Sequence, residues 1–332
     1  MRDSPIDVTV DFELDGIQHG YLKAPYSGDD SAWGAVMIPI TVVKNGVGPT
    51  ALLTGANHGD EYEGPIALWD LTRSIDLSKI SGRVIIIPAM NYPAFTAGKR
   101  TSWIDGGNMN RVFPGNPDGT ITEVIADYFY RKLLPLSDYV IDIHSGGKTM
   151  DFLPFGAAHI LEDKNQQARC VAAAQAFNAP YTLMLLEHDA PRLYDTAAEN
   201  QGKIFVGTEL GGGGSASATT VRVAKRGISN VLKHAGILEG ELDVEDSLNL
   251  DTMNPHCFIR SEHRGLLEMT YDLGEKVKKD QVIALIYDID RTGIDPVQYC
   301  SNVEGILMGR HFPSLIKPGD FLAVVAEEKD PK

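Results

Sequence analysis

Four short apolar runs, each breaking into glycine and polar residues, constrain this chain more than any other feature: TALLTGANHG, GRVIIIPAMN, SDYVIDIHSGG and KIFVGTELGGGG. Near-continuous apolar runs of four to six residues suit strands buried on both faces, which are found in sheets covered by helices on either side. The segments between the runs have helical spacing. GPIALWDLTRSI places Ile66, Leu68, Leu71 and Ile75 on one stripe, and TEVIADYFYRKLLPL, NQQARCVAAAQAF and TVRVAKRGISNVLKHAG follow the same period. Strand and helix in alternation predict an α/β fold whose mixed, largely parallel sheet is flanked by helices. The first 50 residues differ: WGAVMIPITVVKNG alternates as a half-buried strand does, and Asn45-Gly46 supplies a turn.

After about residue 240 the pattern changes again. RGLLEMTYDLGEKVKKDQVIALIYD and CSNVEGILMGRHFPSLIKPGDFLAVVAE are short strands separated by turn residues, approached through the acidic segment EGELDVEDSLNLD. The expected division is a catalytic α/β domain over residues 1–240, N-terminal strands included, and a small all-β domain over 241–332.

A chain of 332 residues with 43% hydrophobic content can bury a large core. Its formal net charge of -15 repels phosphate backbones and anionic lipid surfaces, so neither nucleic acid nor membrane is expected as a partner. The N-terminal MRDSPIDVTVDFELDG has no apolar core of a signal peptide, and no apolar stretch approaches the roughly 18 residues of a membrane span. A cytoplasmic location is the expectation. Cys170, Cys257 and Cys300 form no CxxC pair, which argues against a disulfide framework and against thiolate zinc sites. Any metal must use nitrogen and oxygen.

Ligands of open α/β sheets collect at the carboxyl ends of the strands. His58 and Glu61 follow TALLTGAN, His144 follows YVIDI, and Glu209 follows KIFVGT. Two histidines and a carboxylate are a ligand set of catalytic zinc, with one position left for water. The competing reading is that His58 and Glu61 satisfy N–H groups at the start of the next helix. A second HxxE, His159 to Glu162, opens a helical stretch with no strand expected before it, and metal binding is not expected there. Glu209 is the candidate general base and acid. In GKRTSWIDGGNMNRVFPG, Arg111 can grip a substrate carboxylate with Asn110 beside it, and Arg100 can steady an oxyanion. The glycines after Glu209 lack the lysine of a phosphate-binding loop.

NHGDEYEG, GGNMNRVFPG, DIHSGG and TELGG occur in the order found in the succinylglutamate desuccinylase and aspartoacylase family, relatives of the zinc carboxypeptidases. The resemblance spans roughly residues 30 to 325. It implies one zinc ion per chain bound by His58, Glu61 and His144, with Glu209 as base, Arg100 on the oxyanion, and Asn110 and Arg111 on the substrate carboxylate. Asn108 stands where the family commonly has Asp. Within the family, TGANHGDEYEGP and DIHSGGKTMDFLPF are most similar to a bacterial branch that removes acetate from N-acetyl-2,4-diaminobutanoate in ectoine breakdown. The second amine of such a substrate needs an acidic partner, and Glu187, Asp189 and Asp195 are candidates by type and location. The tail resembles a biotinyl or lipoyl half-barrel without the carrier lysine in EGILMGR, either shaping the mouth of the site or serving a homo-oligomer.

The expected function is hydrolysis of a small N-acyl amino acid. A zinc carboxypeptidase on peptides, a deacylase of succinylglutamate or N-acetylaspartate type, and a binding protein that keeps the fold without catalysis are the alternatives.

Overall fold

The computed structural model describes residues 2–29, 31–185 and 191–329. One sheet runs through the molecule. From one edge its strands lie in the order Asp7–Val8, Gly16–Gly28, Ser31–Asn45, Gly82–Ile87, Thr50–Gly55, Tyr139–His144, Ile204–Glu209, Phe155–His159, Tyr181–Leu185, Leu248–Asp251, Phe321–Glu328, Gly305–His311 and Lys276–Val277. The parallel pairs lie at its centre, where Thr50–Gly55 runs beside both Gly82–Ile87 and Tyr139–His144, and Tyr139–His144 beside Ile204–Glu209. Phe155–His159 is antiparallel to Ile204–Glu209 but parallel to Tyr181–Leu185.

The central strands are covered on both faces, which is why their sequences are apolar without interruption. Leu52, Ile85, Val140 and Phe205 point into one core with the helix Ile121–Tyr128 and Tyr194. Their neighbours Leu53, Ile86, Ile141 and Val206 point into the other, against the helices Glu63–Ser74, Lys164–Phe177 and Ala218–His234. Each large side chain so buried contributes on the order of 1.5–3 kcal/mol. The helix expected over TEVIADYFYRKLLPL forms as Ile121–Tyr128, continues through a wider turn over Phe129–Leu133 and ends at Leu136, before Ser137. Thr120 starts it with a capping box completed by Glu123.

The long N-terminal hairpin, Gly16–Gly28 against Ser31–Asn45, adds to the sheet antiparallel, as its alternating pattern predicts. Beyond residue 240, Leu248–Asp251 pairs with Tyr181–Leu185 on one side and with Phe321–Glu328 on the other. The sheet is therefore continuous from the α/β part into the C-terminal strands. A second sheet of four strands, Val297–Cys300, Val282–Tyr287, Gly265–Met269 and Leu315–Ile316, completes the C-terminal region around its own core. Among the described residues no helix is long and apolar enough to cross a membrane, and the three cysteines are free.

Candidate metal centre and its pocket

The strand Thr50–Gly55 leaves the sheet at Ala56, a non-glycine residue with φ of 49°. This left-handed step turns the chain sharply into the segment that carries Asn57, His58 and Glu61. Gly59 is needed there for close approach: a Cβ on it would lie 2.0 Å from the carbonyl carbon of Ala94 in the helix Tyr92–Ala97. His144 is the last residue of its strand and stands in register with Glu209, the last residue of the neighbouring strand. Three parallel strand ends thus deliver His58 and Glu61, His144, and Glu209 to one place.

The geometry is that of converging acceptors. Nδ1 of His58 is 2.7 Å from Oε1 of Glu61, and Nδ1 of His144 is 2.9 Å from Oε2 of the same carboxylate. Candidate ligand atoms of the three residues all lie within 4.8 Å of one another. The other ring nitrogen of His144, Nε2, is 2.7 Å from Oδ2 of buried Asp142. Asp142 in turn accepts from Thr54 Oγ1 at 2.7 Å and from Asn57 Nδ2 at 3.0 Å. A carboxylate held by these donors favours the proton of His144 on Nε2, so that with a metal bound Nδ1 would present its lone pair to the ion.

Electrostatics point the same way. Burial alone would raise the carboxyl of Glu61, but His58 and His144 outweigh it and hold Glu61 well below the usual range. Burial opposes the imidazolium of His144, yet the carboxylates of Asp142 and Glu61 at its two nitrogens hold its pKa well above the usual value. His58 is lowered, chiefly by burial. Two imidazole nitrogens and a carboxylate aimed at one another require a positive charge between them, and a divalent cation taking two nitrogens and one oxygen fits as a proton on His144 does.

Beside the cluster, burial and then the charge of Glu61 push the Glu209 carboxyl up to about 8. Its Oε2 has no hydrogen-bond partner among the described residues. A carboxyl poised near neutrality at the edge of a cavity can both take and give a proton. Arg100 places Nη1 3.4 Å from Oε1 of Glu61. The side-chain oxygen of Asn110 accepts from the backbone N–H of Tyr194 at 2.9 Å, and Arg111 donates to the Asn110 carbonyl at 2.6 Å.

His58, His144, Glu209, Arg100, Asn110 and Arg111 line one cavity of about 450 Å³. Glu61 lies behind the two histidines. The cavity continues along the sheet face past Phe155 and Ala157 to His159, and Phe258, Met308 and Phe321 of the C-terminal region form part of its wall. Asp142 and Asn57 are functional candidates to which the sequence analysis gives no role; the signal lies in YVIDIH, where Asp142 and His144 fall two apart and so on one face of the strand. One expectation is corrected. His159 does follow a strand, Phe155–His159, and its Nδ1 is 2.8 Å from Glu199 rather than paired with Glu162, which is exposed.

Residues 47–235 match the succinylglutamate desuccinylase/aspartoacylase catalytic domain. The chain belongs to that family. As a desuccinylase/aspartoacylase-family protein it is 57% identical over 328 residues, 98% of this chain and 96% of the relative, to the N-alpha-acetyl-L-2,4-diaminobutyric acid deacetylase of Halomonas elongata. The product-bound structure of the ectoine utilization protein EutE (DoeB) from Ruegeria pomeroyi is 58% identical and superposes with a TM-score of 0.97 over 98% of this chain and 100% of that one. A succinylglutamate desuccinylase from Silicibacter sp. TM1040 is 56% identical, also with a TM-score of 0.97, over 99% and 100% of the two chains.

Proposed function

We propose that this protein is a zinc-dependent amidohydrolase that removes acetate from N-acetyl-L-2,4-diaminobutanoate. The observation that carries the reading is the convergence of His58 Nδ1, His144 Nδ1 and the Glu61 carboxylate beside Glu209. The relatives named for diaminobutyrate deacetylation and ectoine utilization, each nearly 60% identical over almost the whole chain, support the substrate. His58, Glu61 and His144 would hold a zinc ion, which would supply Lewis acidity and lower the pKa of a water towards about 7.

The chain's own residues do the rest. Glu209 takes a proton from the attacking water and returns it to the departing nitrogen, so that one amide and one water become acetate and a free diamino acid. Arg100 donates to the oxygen that becomes negative as the carbonyl carbon turns tetrahedral. Arg111 and the amide nitrogen of Asn110 hold the substrate carboxylate, and Asp142 keeps His144 in the tautomer that presents Nδ1. Residues 241–332 act as a closing unit for the catalytic unit of 1–240, since Phe258, Met308 and Phe321 wall the cavity. Such a wall suits a small acyl amino acid rather than a peptide, and the formal charge of -15 suits a cytoplasmic enzyme without a nucleic-acid partner.

The test is acetate release from both monoacetyl isomers of 2,4-diaminobutanoate, N-acetylaspartate and succinylglutamate, with and without a chelator. Chelator-sensitive cleavage of the Nα-acetyl isomer is the expected result. Cleavage of N-acetylaspartate or succinylglutamate instead would keep the chemistry and overturn the substrate.

A further inference from the structure

Asp195, one of the acidic candidates for a second amine, lines the cavity, while Glu187 and Asp189 lie outside the described residues. The glycine run after Glu209 packs against the segment Met150–Phe152, which follows His144. The Gly211 carbonyl accepts from the N–H groups of Gly146 at 2.9 Å and Phe152 at 3.2 Å, and the N–H of Gly213 donates to the Met150 carbonyl at 3.0 Å. Between them Gly212 stands opposite Asp151. Its φ is 155°, and a Cβ there would run into the Met150 carbonyl oxygen, so only glycine allows this approach.

On its other flank Met150–Phe152 pairs antiparallel with Gly305–His311 of the C-terminal region, with Gly309 opposite Phe152 and Arg310 opposite Asp151. The N–H of Leu153 donates to the Met308 carbonyl and the N–H of Phe312 to the Thr149 carbonyl, each at 2.8 Å. Here too a glycine permits the approach, because a Cβ on Gly309 would lie 2.6 Å from the ring of Phe152. Arg310, Asp151 and Gly212 thus form one row across three segments. Within the row Nη2 of Arg310 is 3.3 Å from Oδ2 of Asp151, the two side chains being 30% and 25% exposed.

Glu209 ends its strand three residues before Gly212, and its Oε2 has no hydrogen-bond partner among the described residues. The backbone that carries the carboxyl group therefore sets its aim, and a displacement of residues 211–213 passes on to it. Resting on the deacetylase reading above, we propose that Arg310 of the C-terminal region is a positioning residue for Glu209, acting through Asp151 and the backbone of Gly212. The C-terminal region then aims the proton carrier as well as walling the cavity. Proton transfer requires Glu209 within about 2.6–3.2 Å of the atom it serves. A misplacement of about 1 Å can cost about 100-fold in rate, and since the ion pair is one of several ties in the row, its loss should cost about tenfold.

The experiment compares zinc-loaded wild type, Arg310→Met and Arg310→Lys in acetate release from Nα-acetyl-2,4-diaminobutanoate and in amide hydrogen exchange. Met keeps an aliphatic stem and removes the charge. Arg310→Met should lower kcat about tenfold and change KM by less than about twofold, because Asn110 and Arg111 are untouched. Exchange at residues 210–214 should quicken about tenfold while the central strands Thr50–Gly55 and Gly82–Ile87 exchange as in wild type. The contact with Asp151 is single rather than bidentate, so Arg310→Lys should recover most of both losses. Arg264→Met, which breaks an exposed pair with Asp290 in the same region, should change neither. Wild-type kcat in Arg310→Met overturns the assignment, and so does a loss accompanied by equally faster exchange in the central strands, since the fault is then one of overall stability. Asp151→Asn reads the same pair if Arg310→Met does not fold. If wild type releases no acetate, the deacetylase reading fails and this assignment with it; if wild type is active and Arg310→Met equally so, this assignment alone fails.

Discussion

The chain contains two HxxE segments, and the fold treats them in opposite ways. His58 and Glu61 follow a strand that runs parallel to the two strands ending at His144 and Glu209, so all four side chains arrive at the same end of the sheet. His159 also ends a strand, but Phe155–His159 runs antiparallel to Ile204–Glu209 and delivers its histidine to the far end. There His159 meets Glu199, while Glu162 faces solvent. Spacing and a preceding strand are common to both segments. Strand direction separates them, because only parallel neighbours collect their carboxyl ends in one place.

The largest effect that bears on this contrast is on turnover. Glu209→Gln should lower kcat by about 10²–10⁴-fold while zinc content, measured by elemental analysis, stays at one per chain. A variant that kept full turnover would remove Glu209 as the proton carrier. Metal content then sets the two segments directly against each other. His144→Ala should lose zinc on dialysis and Asp142→Asn should weaken its binding by about 10–100-fold, whereas His159→Ala should hold zinc as tightly as wild type. Loss of zinc in His159→Ala would break the comparison.

A smaller effect concerns the cluster without its cation. Folding raises Glu209 to about 8 and Glu63 to about 7, each chiefly by burial, and raises His144 as well. Between about pH 4.5 and 8 the native state therefore binds more protons at these groups than the unfolded chain does, and stability falls as pH rises; His58, lowered by folding, opposes the trend. With chelator present, the unfolding midpoint should be several degrees lower at about pH 8.5 than at about pH 5.5. A midpoint that rises over that interval would contradict the upward shifts of Glu209 and Glu63. The smallest expected effect is none: Glu162→Ala should leave kcat, KM and zinc content unchanged, and a loss of zinc there would reopen the second segment as a metal site.

Much of this was legible in the residues. The uninterrupted apolar runs TALLTG and RVIII announced strands covered on both faces, and the glycine and polar residues after them marked the ends where His58, His144 and Glu209 now meet. What could not be read was strand direction. The strand Phe155–His159 was not expected before its histidine, and even as a strand PFGAAHI carries no sign of whether it lies parallel or antiparallel to KIFVGTE, because a strand buried on both faces is apolar whichever way it runs. The supporting layer was also hidden. Asp142 reads as a polar interruption of an apolar run until the fold brings Thr54 and Asn57, more than 80 residues earlier in the chain, within hydrogen-bond distance. The pairing of Leu248–Asp251 with strands on both sides depends on contacts of similar range.

That continuous sheet bears on how the protein is made. The strand Phe321–Glu328 contributes Phe321 and Val324 to the cavity and pairs with Leu248–Asp251, yet the ribosome synthesises it after every other wall of the site. A nascent chain emerging in order can assemble the loops that carry His58, Glu61 and His144 and the central strands first, leaving Leu248–Asp251 with an open backbone edge until Phe321–Glu328 arrives. Until Phe321–Glu328 is made, the cavity lacks the wall that Phe321 and Val324 supply, and the edge of Leu248–Asp251 is open to pairing with a neighbour.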